Sequence, residues 1–152
     1  MSRGRWAILI LITVLVILAG VALFVIPAKA PTPSTNTAAT TLASIPDLIT
    51  VNSPEVGANI SSPVSISGQA RGTWFFEAQA PAQLEDASSS IIVESPLQVD
   101  GNWQTNDFVP FSLTLSFPAQ PAGSHGTLVL KNDNPSGDPA NQKEIDIPVI
   151  FK

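Results

Sequence analysis

Trp6 to Ile26 is a run of twenty-one residues without one ionisable side chain, and no other feature constrains this chain as much. As an α-helix rising about 1.5 Å per residue it spans roughly 32 Å, matching a hydrocarbon core of about 30 Å. Arg3 and Arg5 stand directly before it. Because an excess of Lys and Arg marks the cytoplasmic side, residues 1–5 are expected inside and everything after Ile26 outside. The chain therefore reads as a single-pass membrane protein with a signal anchor at 6–26. A competing reading is a cleaved signal peptide, since Ala28-Lys29-Ala30 has the A-x-A form that leader peptidases accept. Against it, a signal h-region usually has about 7–15 apolar residues, fewer than this run. A pilin-type helix would want an acidic residue within the apolar run, where none occurs, and Pro27 would break it.

The rest of the chain is acidic. All twelve acidic residues lie at or after Asp47, where only Arg71, Lys131, Lys143 and Lys152 oppose them, a net of −8 against −5 for the whole chain. Phosphate binding needs a basic face, so a nucleic-acid partner is excluded. The absence of cysteine excludes a disulfide framework, a Cys-ligated metal and a thiol nucleophile. Between anchor and acidic region, sixteen of the twenty residues 27–46 are Pro, Ala, Thr or Ser. With so little apolar bulk the segment cannot offset the entropy of ordering, and it reads as an extended linker.

From Asp47 to Lys152 the pattern has period two. Val64, Ile66, Gly68 and Ala70 alternate with Ser65, Ser67 and Gln69, as a half-buried strand requires. Phe111 to Phe117 and Ile145 to Lys152 repeat it, and weaker runs occupy 48–51, 73–80, 90–97 and 127–131. The intervening breaks, Ser53-Pro54, Val56-Gly57-Ala58-Asn59, Ser62-Pro63, Asp100-Gly101-Asn102, Pro121-Ala122-Gly123 and Asn134-Pro135-Ser136-Gly137, carry turn residues. At least seven short strands in about a hundred residues predict an all-β fold, an antiparallel β-sandwich of two sheets over 47–152. Pro148 cannot donate to a ladder, so the last strand is expected at an edge or with a bulge.

The ordered series of motifs resembles the immunoglobulin-like domain of bacterial spore germination proteins. It comprises Asn52-Ser53-Pro54 through Gly57, Ile60-Ser61-Ser62-Pro63-Val64, Ile66-Ser67-Gly68-Gln69-Ala70, Gly72-Thr73-Trp74-Phe75-Phe76-Glu77-Ala78, Gly101-Asn102-Trp103-Gln104-Thr105, Phe108-Val109-Pro110-Phe111, Gly126-Thr127-Leu128-Val129-Leu130 and Asn134-Pro135-Ser136-Gly137. The resemblance implies an immunoglobulin-like sandwich in an exported or membrane-anchored bacterial protein. It brings no catalytic residues, and implies binding or assembly at the cell envelope.

Candidate chemistry is sparse. His125 is the only histidine; adjacent to Ser124 in a loop, it cannot form the geometry of a catalytic triad. Glu85-Asp86 reads as a solvated hairpin tip rather than a glycosidase pair. The oxygen-rich run Asn132 to Asp138 lacks the Glu that an EF-hand wants at its twelfth position, where Lys143 stands. It reads as Asx and type I turns, with a weak calcium site near Asp133 as the rival reading. Asn59-Ile60-Ser61 fits an N-glycosylation sequon, relevant only in a source that glycosylates such sites.

Trp74-Phe75-Phe76 is the most informative run, because in a strand three successive aromatics must point both ways. Either Phe75 faces out beside Glu77 and Gln79, or Trp74 and Phe76 do. Covering by a neighbouring loop is the plain reading; a patch contacting a partner or glycan is the functional one. Trp103 reads as core or corner packing, and Glu77 as bonding a turn backbone or pairing with Arg71.

The sequence thus predicts a non-catalytic, membrane-anchored module without metal or cofactor. Its partner is expected to be an envelope protein or cell-wall component, held through Trp74, Phe75, Phe76 and Glu77 or by strand addition. A spore or germination setting is implied by the resemblance. The alternative is a structural subunit that self-associates into an envelope coat or fibre.

Overall fold

The computed structural model describes residues 43–152. The anchor expected at 6–26 and the linker as far as Leu42 lie outside them. Among the described residues, no helix is long and apolar enough to cross a membrane.

Among the described residues nine strands form: β1 Ala43–Ile45, β2 Ile49–Ser53, β3 Ala58–Ile60, β4 Val64–Arg71, β5 Gln79–Asp86, β6 Ile91–Val99, β7 Phe108–Leu115, β8 His125–Lys131 and β9 Glu144–Phe151. Alternation determines their faces. In β9, Ile145, Ile147, Val149 and Phe151 are buried while Glu144, Asp146 and Pro148 are exposed. In β5 the buried set is Ala80, Ala82 and Leu84.

The strands are hydrogen-bonded in the order β1-β2-β4-β7-β6-β5-β8-β9-β3. The two separate sheets predicted from the sequence are instead one curled sheet. Its halves meet at a seam where β6 and β7 pair only through Gln98↔Ser112 and Val99↔Phe111. The halves share one buried cluster, in which Phe117, just after β7, packs edge-to-face on Phe151 of β9 at 5.8 Å. The architecture is therefore sandwich-like, as an immunoglobulin-like domain requires. All neighbours are antiparallel except β3 and β9, which run parallel.

Close approach sets one core position. A Cβ on Gly68 would strike the Thr50 carbonyl oxygen of β2 and lie 2.6 Å from Phe111 Cζ, so only glycine lets the Phe111 ring lie across β4. Burying large side chains such as Phe111, Leu97, Leu128 and Ile147 contributes about 1.5–3 kcal/mol each.

Two sequence expectations shift. Ala43–Ile45, read as linker, is an edge strand paired with β2, because Pro46 and Asp47 turn the chain back: Leu48 N–H donates to the Ile45 carbonyl at 3.1 Å, and Asp47 has φ 61°. A proline followed by a residue of positive φ suits a type II turn. Pro148 is not on an outer strand, since β3 covers Val149–Phe151. Its ring nitrogen nonetheless falls just before that short ladder begins. The Pro148 carbonyl accepts from Gly57 N–H on the same side (2.7 Å), so no ladder donor is missed.

Candidate functional site

At the end of the domain where β4 leads to β5, the sequence predicts a strand over 73–80, but only Gln79 and Ala80, the start of β5, are strand. Gly72–Trp74 forms a 3-10 turn, with Phe75 N–H donating to the Gly72 carbonyl at 3.1 Å. Phe76 and Gln79 then exchange both backbone hydrogen bonds, at 3.0 and 3.1 Å, across Glu77 and Ala78. Those two residues have φ 51° and 63°, the positive pair of a type I′ hairpin turn.

Because the segment turns, alternation fails and both predicted registers are wrong. Trp74 and Phe75 are both buried, at 2% and 3% exposure, and Phe76 is the ring left in solvent, at 42%. Phe75 packs against Phe111 with centroids 6.2 Å apart. Phe76 meets half-buried Trp103 in a T-shaped pair, also at 6.2 Å.

Glu77 is exposed at the turn and does not pair with Arg71. Arg71 is committed elsewhere: Nε donates to the Asp47 carbonyl (3.0 Å), Nη1 donates to the Asn106 carbonyl (3.1 Å), and the guanidinium lies 4.2 Å from the Phe108 ring centroid. One cation thereby ties the β1–β2 turn to the loop that carries Trp103.

That loop, between β6 and β7, is held by hydrogen bonds from its backbone N–H groups to its own side chains and carbonyls. Gln104 N–H donates to Asn102 Oδ1 (3.0 Å), Thr105 N–H to the Trp103 carbonyl (2.8 Å), and Asp107 N–H to Thr105 Oγ1 (3.1 Å). Gly72 N–H reaches the Asp107 carbonyl at 3.0 Å. A Cβ on Gly72 would strike the carbonyl oxygens of Trp103 and Thr105, so the loop closes down only over glycine. Gly72, Thr73, Phe75 and Trp103 to Asn106 line a cleft of about 330 Å³. Sequence reasoning placed Trp103 in packing and passed over Gln104 and Asn106. Their signal was an amide- and hydroxyl-rich loop beside an aromatic.

The remaining candidates are structural. His125 opens β8, exposed and opposite Ile150, while the Ser124 hydroxyl donates to the Pro121 carbonyl at 2.6 Å, so the two do not form a dyad. Glu85 is a ladder residue opposite Ile91, and Asp86 Oδ1 accepts from Ser88 and Ser90 N–H at 2.7 and 3.0 Å to close the hairpin. In the oxygen-rich run, Asn132 Oδ1 accepts from Lys143 N–H (2.7 Å) and Asp138 Oδ1 from Ala140 N–H (2.9 Å), as turns require. Among the described residues, no three His, Cys, Asp or Glu side chains are grouped so as to hold a metal. A second cleft of about 460 Å³ lies over Gln79 to Pro81 and Glu94 to Pro96, beside Asp133.

A family model described as the immunoglobulin-like domain of bacterial spore germination matches residues 48–138, which include β2 through β8 and both segments of the aromatic end. No curated protein and no solved structure matches the chain.

Proposed function

The chain belongs to the family of immunoglobulin-like domains of bacterial spore germination, and from that premise we propose that it is a membrane-anchored, non-catalytic recognition module that binds another component of the cell envelope. The uncharged run Trp6–Ile26 behind Arg3 and Arg5 supports the anchor and the outward orientation. The family supports a germination or sporulation setting.

The observation that carries the reading is Phe76, held in solvent against Trp103 by a strained two-residue turn. Positive φ at two successive non-glycine residues is uncommon, and such backbone strain clusters where a side chain must be presented. An aromatic exposed on a rigid frame is the kind of residue that dominates binding energy at interfaces. Glu77 stands beside it at the turn, and Trp74 and Phe75 support the turn from within.

Recognition by surface contact is favoured over strand addition. Val99 N–H donates to the Ala78 carbonyl and Asp100 N–H to the Pro110 carbonyl, so even-numbered backbone groups of β6 face its uncovered side. There Pro96 offers no donor and Glu94 adds a charge, while the register with β5 slips at Ile92. These features blunt an edge against added strands. At that edge they argue likewise against pairing between copies of the chain, as a coat or fibre built through β6 would need.

The test is a cross-linking pull-down from intact cells carrying the full chain, beside sizing of the purified full chain. A distinct envelope component, lost on Phe76→Ala, is the expected result. Recovery of the chain alone, with oligomers that grow with concentration, would make it a self-assembling subunit instead.

A further inference from the structure

Resting on that recognition reading, we propose that the cleft between Thr73, Trp103 and Asn106 binds a neutral glycan chain, one pyranose ring lying against Trp103 and the chain continuing past Phe76.

Charge is the first argument. The region from Asp47 onward carries −8, yet no residue lining this cleft is ionisable. The charges nearest in sequence are occupied: Arg71 on two carbonyls and the Phe108 ring, and Asp107 Oδ2 as acceptor for Thr105 Oγ1 at 3.3 Å. A polyanion approaching the domain is repelled, and a cationic partner would find no carboxylate inside the cleft. An uncharged occupant fits both facts.

Polarity is the second. A pyranose presents a face of polarised C–H bonds and an edge of hydroxyls. The first suits the negative face of an aromatic ring, supplied in the cleft by Trp103, with exposed Phe76 beside it. The second needs donors and acceptors together, because a hydroxyl taken from water without partners is costly. A primary amide offers both, and the amides of Gln104 and Asn106 make no hydrogen bond to any described residue. Thr73 adds an exposed hydroxyl.

Rigidity is the third. The loop's backbone is held from Asn102 to Asp107, and Gly72 lets it close without a gap. The aromatic and the amides are therefore set before a ligand arrives, which lowers the ordering cost of binding. At about 330 Å³ the cleft is near the small end of ligand sites, of the order of 300–1,000 Å³. It suits a single ring, the rest of the chain lying across the surface.

The experiment titrates purified full-length protein in detergent with the tetramers of N-acetylglucosamine and of glucose, and with polygalacturonate as an anionic control, by saturation-transfer NMR and tryptophan fluorescence. At least one neutral tetramer should bind with a Kd of about a millimolar or tighter. Trp103→Ala should weaken it at least about tenfold, as truncating an aromatic anchor does, and Gln104→Ala about three- to tenfold. Since Trp103→Ala removes packing under Phe76, the exposed double variant Gln104→Ala/Asn106→Ala guards against misfolding and should also weaken binding. Failure of both neutral tetramers to bind, full binding by the double variant, or preference for polygalacturonate would each overturn the proposal. A protein recovered in the pull-down without tetramer binding would overturn this inference and leave the recognition reading intact; failure of both would remove the reading itself.

Discussion

Replacing Ala78 by glycine should stabilise the protein. Ala78 follows Glu77 in the two-residue turn, with φ 63°, and Phe76 and Gln79 exchange both backbone hydrogen bonds around the pair. In left-handed backbone the Cβ of an L-residue crowds the following carbonyl oxygen, at about 1–2 kcal/mol. Glycine removes that crowding and costs about 0.5–1 kcal/mol of extra backbone entropy. The balance is about 0.5–1 kcal/mol in favour of glycine. For a domain of roughly 100 residues, 1 kcal/mol moves Tm by about 4–8 °C, so Ala78→Gly should raise the unfolding midpoint by about 2–8 °C. Thermal unfolding followed by tryptophan fluorescence is apt, since Trp74 lies four residues before Ala78 and Trp103 contacts Phe76. Ala78→Val reverses the sign, because a β-branched residue tolerates positive φ worst. A lower midpoint for Ala78→Gly together with an unchanged one for Ala78→Val would refute the turn and the strain assigned to it.

Other substitutions test the frame. Gly72→Ala should lower stability by about 1–3 kcal/mol, because its Cβ meets two carbonyls of the Trp103 loop; a shifted near-UV circular dichroism spectrum should accompany the loss. Phe111→Ala should cost about 3–5 kcal/mol in denaturant titrations, since the ring is 2% exposed and touches Phe75. Arg71→Lys should cost about 1–2 kcal/mol, since a single ammonium cannot reach the Asp47 and Asn106 carbonyls and stack on Phe108 together. The carbonyl partners are uncharged, so 1 M salt should leave that difference nearly unchanged. Lys131→Ala should shift Tm little, as the ion pair with Glu144 spans 3.8 Å at the surface.

The long alternating strands were legible because burial enforces period two: β4 and β9 stand where the sequence puts them, and β7 overlaps its run but covers Phe108–Leu115 rather than Phe111 to Phe117. Strand β5 was not, since its inward residues Ala80, Ala82 and Leu84 include two alanines, whose small side chains give a weak hydrophobic signal. Strands β1 and β3 have three residues each and exist through their partners, β2 and β9, which no local pattern announces. The hairpin at Glu77-Ala78 was missed because neither residue is the asparagine or glycine that marks a type I′ turn. The same omission misplaced the aromatics. A run read as a strand must send alternate rings outward, whereas a 3-10 turn followed by a tight hairpin buries two in succession and exposes the third. Trp103 and its amide neighbours gained meaning only once Gly72 and Arg71 were seen to hold their loop against the β4–β5 connection.

The central claim is that the chain recognises its partner through the aromatic end. It is tested most directly by placing a photo-activatable phenylalanine analogue at position 76 of the full chain in living cells, and at position 88 for comparison. Ser88 is exposed at the β5–β6 hairpin, the far end of β5 from Phe76. Irradiation should give an adduct with an envelope component from position 76 and none from position 88. Equal adducts from both positions, or adducts only between copies of the chain, would contradict the account.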